Sequence, residues 1–280
     1  MPQGESVEGR AIPAIKITSA SGGPAADKKS IFWLGGLHAR EWASPATVMY
    51  ITSKLLAAAA TDATIQSWLA RAVIHVAPVQ NPDGYIYTRT NRLWRKNRAI
   101  NRGGSHGVDL NRNWDDGKWG VYGASASPRS DAYRGPHAFS EPETRAVSAY
   151  ILAHANRAAG IDFHAYSQLV LRNWGWTRTP SANEAVLKEL GDGMAQAIYK
   201  TTRKSYDSIR GAELYPASGC SDDWMSAVAG IAGFTIELRD TGRYGFVLPR
   251  EDIVPMGKEI WSAMQVFVPF VLDRHIPKNN

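Results

Sequence analysis

The chain holds one cysteine, Cys220, among 280 residues, so no intrachain disulfide can brace it. It also lacks any apolar run near the roughly 20 residues that a membrane helix needs. The longest apolar stretches are the alanine-rich 55–60 and the broken 266–272. There is no linker, composition break, internal repeat or low-complexity segment, which leaves a single domain over 1–280 as the expectation. Charge of one sign is scarce. The net +6 is dispersed except around 89–102, too thin a footprint for a nucleic-acid binder. The opening Met1-Pro2-Gln3-Gly4-Glu5 is neither basic nor apolar and carries no secretion signal pattern. What is present is 44% apolar content, enough to bury a sizeable core.

Short apolar runs alternate with longer amphipathic stretches. Segments 11–17, 31–35, 72–76, 160–163, 168–171 and 232–238 read as strands. Segment 44–60 reads as a helix with Ser44 as N-cap and Pro45 at the first helical position. A capping-box pattern, Ser140 to Glu143, opens a second helix ending near His154. Segments 181–201 and 251–271 are further helical patterns, the last expected to bend or break near Pro255 and Pro269. Such alternation predicts an α/β architecture with helices on both faces of a sheet. From 81 to 139 there is little periodicity and much Gly, Asn, Arg, Asp and Trp, and a loop region that long is usually functional.

Three candidate groups fall at strand ends. His38 and Glu41 follow the apolar run 31–37, His164 follows Ile161-Asp162-Phe163, and Glu237 closes 233–236. Ligands of open α/β sheets bind outside the carboxyl ends of the strands, so one rim would carry all of them. Two imidazoles and a carboxylate make a zinc site with a position left for water. Glu237 is then the free carboxylate able to take a proton from that water.

With these residues in place the chain resembles the zinc carboxypeptidases of the pancreatic A and B type. The matching motifs are HAREW (38–42), NPDGY (81–85), NRLWRKNR (91–98), GVDLNRNW (107–114), FHAYSQL (163–169), YPASGCSDDW (215–224) and ELRDTGRYGF (237–246). The resemblance implies a mixed, twisted sheet of about eight strands with helices on both faces. It implies one zinc ion held by His38, Glu41 and His164, with Glu237 as general base and Arg95 polarising the scissile carbonyl. Asn111 and Arg112 match the clamp on the substrate's terminal carboxylate, which a guanidinium and an amide donor suit physically. Arg40, Tyr166 and the mobile Tyr215 match substrate-binding positions, and Asp109 the carboxylate that orients the first zinc histidine. The residue before Asp223-Trp224 is Asp222, as in the B-type pocket, which favours a cationic guest. The partners implied are peptide and protein C-termini met outside the cell by a monomer, with no nucleic acid and no membrane. The segment 4–10 matches one that normally follows an opening helix, so the family's first helix, pro-segment and signal are expected to be absent. Ala165 stands where the family has serine.

Other readings stay open at this level. Asp222 as a helix N-cap would leave the pocket uncharged. Arg210, turned inward, would neutralise Asp222 and admit apolar residues, and Glu213 lies in the same wall. Cys220 reads as a buried inert thiol, and Arg92, Arg98 and Arg102 as a solvated basic face. A broad or apolar C-terminal preference, a non-catalytic peptide-binding relative, and a trimmer of glutamate tails are the competing functions.

Overall fold

The computed structural model describes residues 2–277. A two-stranded antiparallel ribbon, β1 (Pro2–Glu5) with β2 (Ala11–Pro13), precedes the main sheet. That sheet takes β3 (Ile15–Ile17), β4 (Lys29–Gly35), β5 (Ala72–Ala77), β6 (Arg157–Ala165), β7 (Leu169–Arg172), β8 (Asp207–Arg210) and β9 (Ala232–Leu238). The spatial order is β3-β5-β4-β6-β9-β7-β8, seven strands rather than the expected eight. The run 11–17, expected as one strand, divides at Ala14, its first part pairing with β1 and its second with β5. Pro13, which has no N–H to donate, ends the first part. Strands β5, β4, β6 and β9 are mutually parallel, while β3 and β7 run antiparallel to their neighbours β5 and β9. The sheet is mixed, as expected.

Helices cover both faces. α1 (Ala43–Ala58), α2 (Ala63–Arg71), α5 (Glu184–Thr202) and α8 (Ile253–Asp273) close one core with Ile31, Trp33, Ile161, Phe163, Phe234 and Ile236. α4 (Pro142–Leu152) and α7 (Ser221–Ala227) close the other over Phe32, Leu34, Trp114, Trp224 and Met225. Alternation along β4 sends Ile31 and Trp33 to one side and Phe32 and Leu34 to the other, as a strand with two buried faces must. The short helices α3 (Pro82–Tyr87) and α6 (Gly211–Leu214) lie in the connections. α7 sits close to the sheet because β6 and β9 present glycine beneath it. A Cβ at Gly160 would lie 2.5 Å from Met225 Sδ, and one at Gly233 2.3 Å from the Asp222 carbonyl oxygen.

Two helix starts differ from expectation because tertiary partners outbid the local cap, and a third helix lacks the expected break. Ser44 lies inside the first turn of α1, where its hydroxyl accepts from Gly36 N–H at 2.9 Å and donates to the Phe163 carbonyl, and Trp42 holds the cap position. Ser140 donates to Glu141 at 2.6 Å, and the Glu143 carboxylate takes Val7 N–H at 3.0 Å, so no capping box forms at α4. α8 runs unbroken through Pro255 and Pro269, the former lying in the first turn, where no N–H partner is needed.

Beyond Glu237, β9 is anchored by charge. Arg239 is 8% exposed and directs its guanidinium at the fully buried Glu259 of α8, which also accepts from Thr202 at 2.5 Å and Tyr206 at 3.2 Å. Without Glu259 the buried Arg239 would keep only the more exposed Asp252 as a carboxylate partner, and Thr202 and Tyr206 would lose their acceptor. Glu259→Ala should therefore lower stability by about 3–5 kcal/mol, read as a lower denaturant midpoint at unchanged slope. A loss under about 1 kcal/mol, typical of an exposed pair, would show that water still reaches Arg239.

Candidate active site

The parallel strands β4, β6 and β9 deliver the site. His164 and Glu237 are register partners near the ends of β6 and β9, on the face opposite the Phe163 and Ile236 side chains. His38 and Glu41 come from the tight turn between β4 and α1. His38 Nδ1 lies 2.8 Å from Glu41 Oε1 and 3.0 Å from His164 Nδ1, which is itself 3.0 Å from Glu41 Oε2. One ligand atom from each of these three residues falls within 4.8 Å of the other two, and all three side chains are buried.

Loop segments from 81 to 113 are strapped onto that turn. Asn81 Nδ2 donates to the carbonyls of Leu37 (3.2 Å) and Lys96 (3.1 Å), and Ala39 N–H donates to the Arg95 carbonyl at 2.9 Å. Gly84 is required here, since a Cβ would sit 2.6 Å from the Lys96 carbonyl oxygen. Arg95 donates twice to Asp109 Oδ2, at 3.1 and 2.8 Å, and its Nη1 is 3.2 Å from His38 Nδ1. Asp109, fully buried, also accepts from His38 Nε2 at 3.1 Å and from Asn111 N–H at 3.0 Å. The outer nitrogen of His38 is thus engaged, and its inner nitrogen faces His164 and Glu41.

The electrostatics describe a site short of positive charge. Burial opposes ionisation of Glu41, yet His38 and His164 hold its pKa well below the usual carboxylate range. Asp109 is also held low against burial, chiefly by Arg95. Against burial, Asp162 and Glu41 pull His164 well above an ordinary imidazole. Burial and then Glu41 push the Glu237 carboxyl up to about 8, with His164 and Arg95 opposing. Carboxylates that draw a proton onto an imidazole and raise one another would equally draw a dication. The donor set, two imidazole nitrogens and a carboxylate with outer partners in place, fits zinc.

Two adjoining cavities open on this cluster. A groove of about 670 Å³ is walled by His38, Arg40, Glu41, Arg95, Tyr166 and Phe246, among others. Arg40 stacks its guanidinium 4.1 Å from the Phe246 ring centre, and Tyr166 packs on the same ring at 5.0 Å. A second, narrow pocket is lined by Arg112, Leu171, Ala217, Cys220, Asp222 and Thr235. Asn111, Leu214, Tyr215 and Glu237 border both. Asn111 spends its carboxamide oxygen on Ser221 N–H at 2.9 Å, which leaves the amino group as its donor toward a ligand. Arg112 is fixed by donation to the carbonyls of Asn111 (2.6 Å) and Gly123 (2.9 Å). Tyr215 is half exposed, its ring centre 5.8 Å from the Arg112 guanidinium.

Every candidate from the sequence meets at this place: His164 and Asp109 lie behind the wall, and the others line one cavity or both. Asp222 is not a helix N-cap. Cys220 holds that position, and Asp222 is the second residue of α7, buried, with Asp223 N–H on its Oδ1 at 3.0 Å. Burial raises its pKa. Arg210 pairs with Glu213 at 3.0 Å and lies outside the residues that line the pocket, so it does not neutralise Asp222. Arg92 is no solvated charge: it donates to the carbonyls of Arg40 and Phe246 and stacks 4.1 Å above Trp42. The Cys220 thiol lies in the pocket, 3.8 Å from Arg112 Nη1, and burial raises its pKa well above an ordinary thiol, which keeps it un-ionised. Phe246, Leu214 and Asp162 are participants that sequence patterns alone passed over. The signal for Asp162 was its period-two offset from His164.

Comparison with known proteins agrees with this geometry. The zinc carboxypeptidase (peptidase M14) family profile matches residues 2–263. Carboxypeptidase B of Astacus astacus is 41% identical over 97% of this chain and 89% of its own length. Carboxypeptidase A4 of Mus musculus is 39% identical over 96% of this chain, which spans 64% of that relative. The crystal structure of thrombin-activatable fibrinolysis inhibitor superposes with a TM-score of 0.93 at 31% identity, covering 98% of this chain and 69% of that one. The chain belongs to the zinc carboxypeptidase family of peptidases.

Proposed function

We propose that this protein is a zinc-dependent exopeptidase that removes C-terminal lysine or arginine from peptides and proteins. The observation that carries the reading is a pair of adjoining cavities with Glu237 on their shared border, one walled by His38 and Glu41 of the His38–Glu41–His164 cluster and the other lined by Asp222. When bound by that cluster, zinc supplies Lewis acidity and eases deprotonation of a water.

The chain's own residues supply the rest. Arg112 and the Asn111 amino group hold the terminal carboxylate, which fixes the last peptide bond beside Glu237. Glu237 takes the proton of the attacking water and returns it to the leaving amine. Arg95, already next to the cluster, places positive charge where the carbonyl oxygen becomes negative. Arg40, Tyr166 and Phe246 line the groove for the preceding residues, and Tyr215 stands at the mouth where closure would exclude water. Asp109 keeps His38 in the tautomer that faces inward. At the far end, a lysine or arginine side chain reaches Asp222. Action outside the cell as a monomer belongs to this proposal and is carried by the family resemblance.

Glu237→Gln should abolish turnover while peptide affinity stays near that of the parent, because the amide cannot accept the proton. A mutant rate within tenfold of the parent would place the base elsewhere, and a parent with no turnover in excess zinc would favour the non-catalytic reading. Arg112→Ala should remove the preference for free over amidated C-termini, a charge-assisted contact worth about 1.5–3 kcal/mol. Retained discrimination would mean that another group clamps the carboxylate.

Asp222 decides specificity. A leucine in the pocket leaves a buried carboxylate unpaired, a penalty of about 3–5 kcal/mol, so the Arg-to-Leu ratio of kcat/KM should exceed roughly a hundredfold. Burial raises the pKa of Asp222, so acidification should protonate it and shrink that ratio. Asp222→Ala should collapse the ratio and its pH dependence together. A mutant that keeps the parent's ratio would assign the preference to other pocket residues.

A further inference from the structure

The two histidines of the metal cluster are supported differently. His38 has Asp109 behind it at 3.1 Å. His164 Nε2 is buried and makes no hydrogen bond, yet Asp162 Oδ2 lies 3.4 Å away. Asp162 is fully buried in β6, two residues before His164 and on the same face of the strand. Its carboxylate is held from two sides by neutral donors. Gln80 Nε2 donates to Oδ1 at 2.9 Å, and Ser221 Oγ, from the first residue of α7, donates to Oδ2 at 2.7 Å. Neither donor neutralises it. A buried carboxylate without a cationic partner is costly, and an apolar or hydroxyl side chain would cost less at that place.

We propose that Asp162 is the positioning carboxylate of His164, accepting the Nε2 proton so that Nδ1 keeps its lone pair for the metal. The role rests on the zinc reading above and adds a second carboxylate–histidine pair to the one formed by Asp109. The anchoring is what makes Asp162 effective. With Gln80 and Ser221 holding both oxygens, it cannot turn away from the ring, and Ser221 is held in turn through its backbone N–H by Asn111 at 2.9 Å. A fixed acceptor behind the ring sets both its tautomer and its tilt.

The test is zinc affinity of the full chain, measured by competition between the metal-free protein and dipicolinate, with thermal unfolding of the metal-free proteins run alongside. Asp162→Asn should bind zinc about 10–100-fold more weakly while the metal-free unfolding midpoint holds near the parent's. If the amide disturbs folding through its clash with the Gln80 and Ser221 donors, Asp162→Ser removes the charge and is expected to show the same loss. In a His164→Ala background the Asp162 change should cost almost nothing further, since its effect travels through that ring. Parent-like affinity in the folded Asp162 variants, or an equal loss in the absence of His164, overturns the proposal. The zinc reading itself fails separately: the parent would then bind no zinc, or His38→Ala would bind it as the parent does.

Discussion

The site depends on the pairing of β6 with β9. Because side chains alternate along a strand, three same-face rows of this pair form a ladder toward the rim: Gly160 with Gly233, Asp162 with Thr235, His164 with Glu237. The glycine row lets α7 lie close to the sheet, as the Met225 and Asp222 contacts there require. The middle row meets α7 through Ser221 and the pocket floor, and the last row carries the candidate chemistry. A one-residue slip of β9 would turn its member of each row, Gly233, Thr235 and Glu237, toward the α1–α5–α8 core. The buried Ile161, Phe163, Phe234 and Ile236 on the other face prevent that slip.

Around this ladder the protein concentrates carboxylates more densely than cations. Glu41, Asp109 and Glu237 share Arg95, whereas Asp162, Asp222 and Asp223 are held by neutral donors such as Gln80, Ser221 and Asn173. Such an arrangement is poor for stability, since each desolvated carboxylate must be held by hydrogen bonds or shared protons. It is well suited to binding positive charge at two places, a dication among the ligands and a basic side chain in the pocket. The rest of the fold compensates through two apolar cores and the Arg239–Glu259 pair, which fastens the chain just past Glu237.

The strands that deliver the site were legible because burial on both faces makes them short, nearly continuous apolar runs, and β9 runs over the residues expected. The motif residues were legible because His38-x-x-Glu41, His164 and Glu237 sit at strand ends, where the α/β topology leaves one destination. Less legible were the helix starts at Ser44 and Glu143, since their side chains answer to partners distant in sequence, Phe163 and Val7. Asp162 was hidden for a related reason: its period-two offset places it on the face of His164, but only the fold brings Gln80 and Ser221 to its carboxylate.

The pocket shows why a charge alone does not define selectivity. In the proposed role Asp222 would discriminate only to the extent that water is kept from it, because an exposed carboxylate would tolerate an apolar neighbour at little cost. Its walls include Leu171, Leu214, Ala217 and the un-ionised Cys220; the lining Arg112 is committed to the carbonyls of Asn111 and Gly123, and Arg210, outside the lining, turns to Glu213. The walls therefore remove the solvent that would otherwise soften the choice, and the close seat of α7 on Gly160 and Gly233 brings the carboxylate to the bottom. The proposed preference for a cationic terminus would thus be a joint property of pocket lining, helix placement and one aspartate. A substitution that wetted the pocket would erode it even with Asp222 intact.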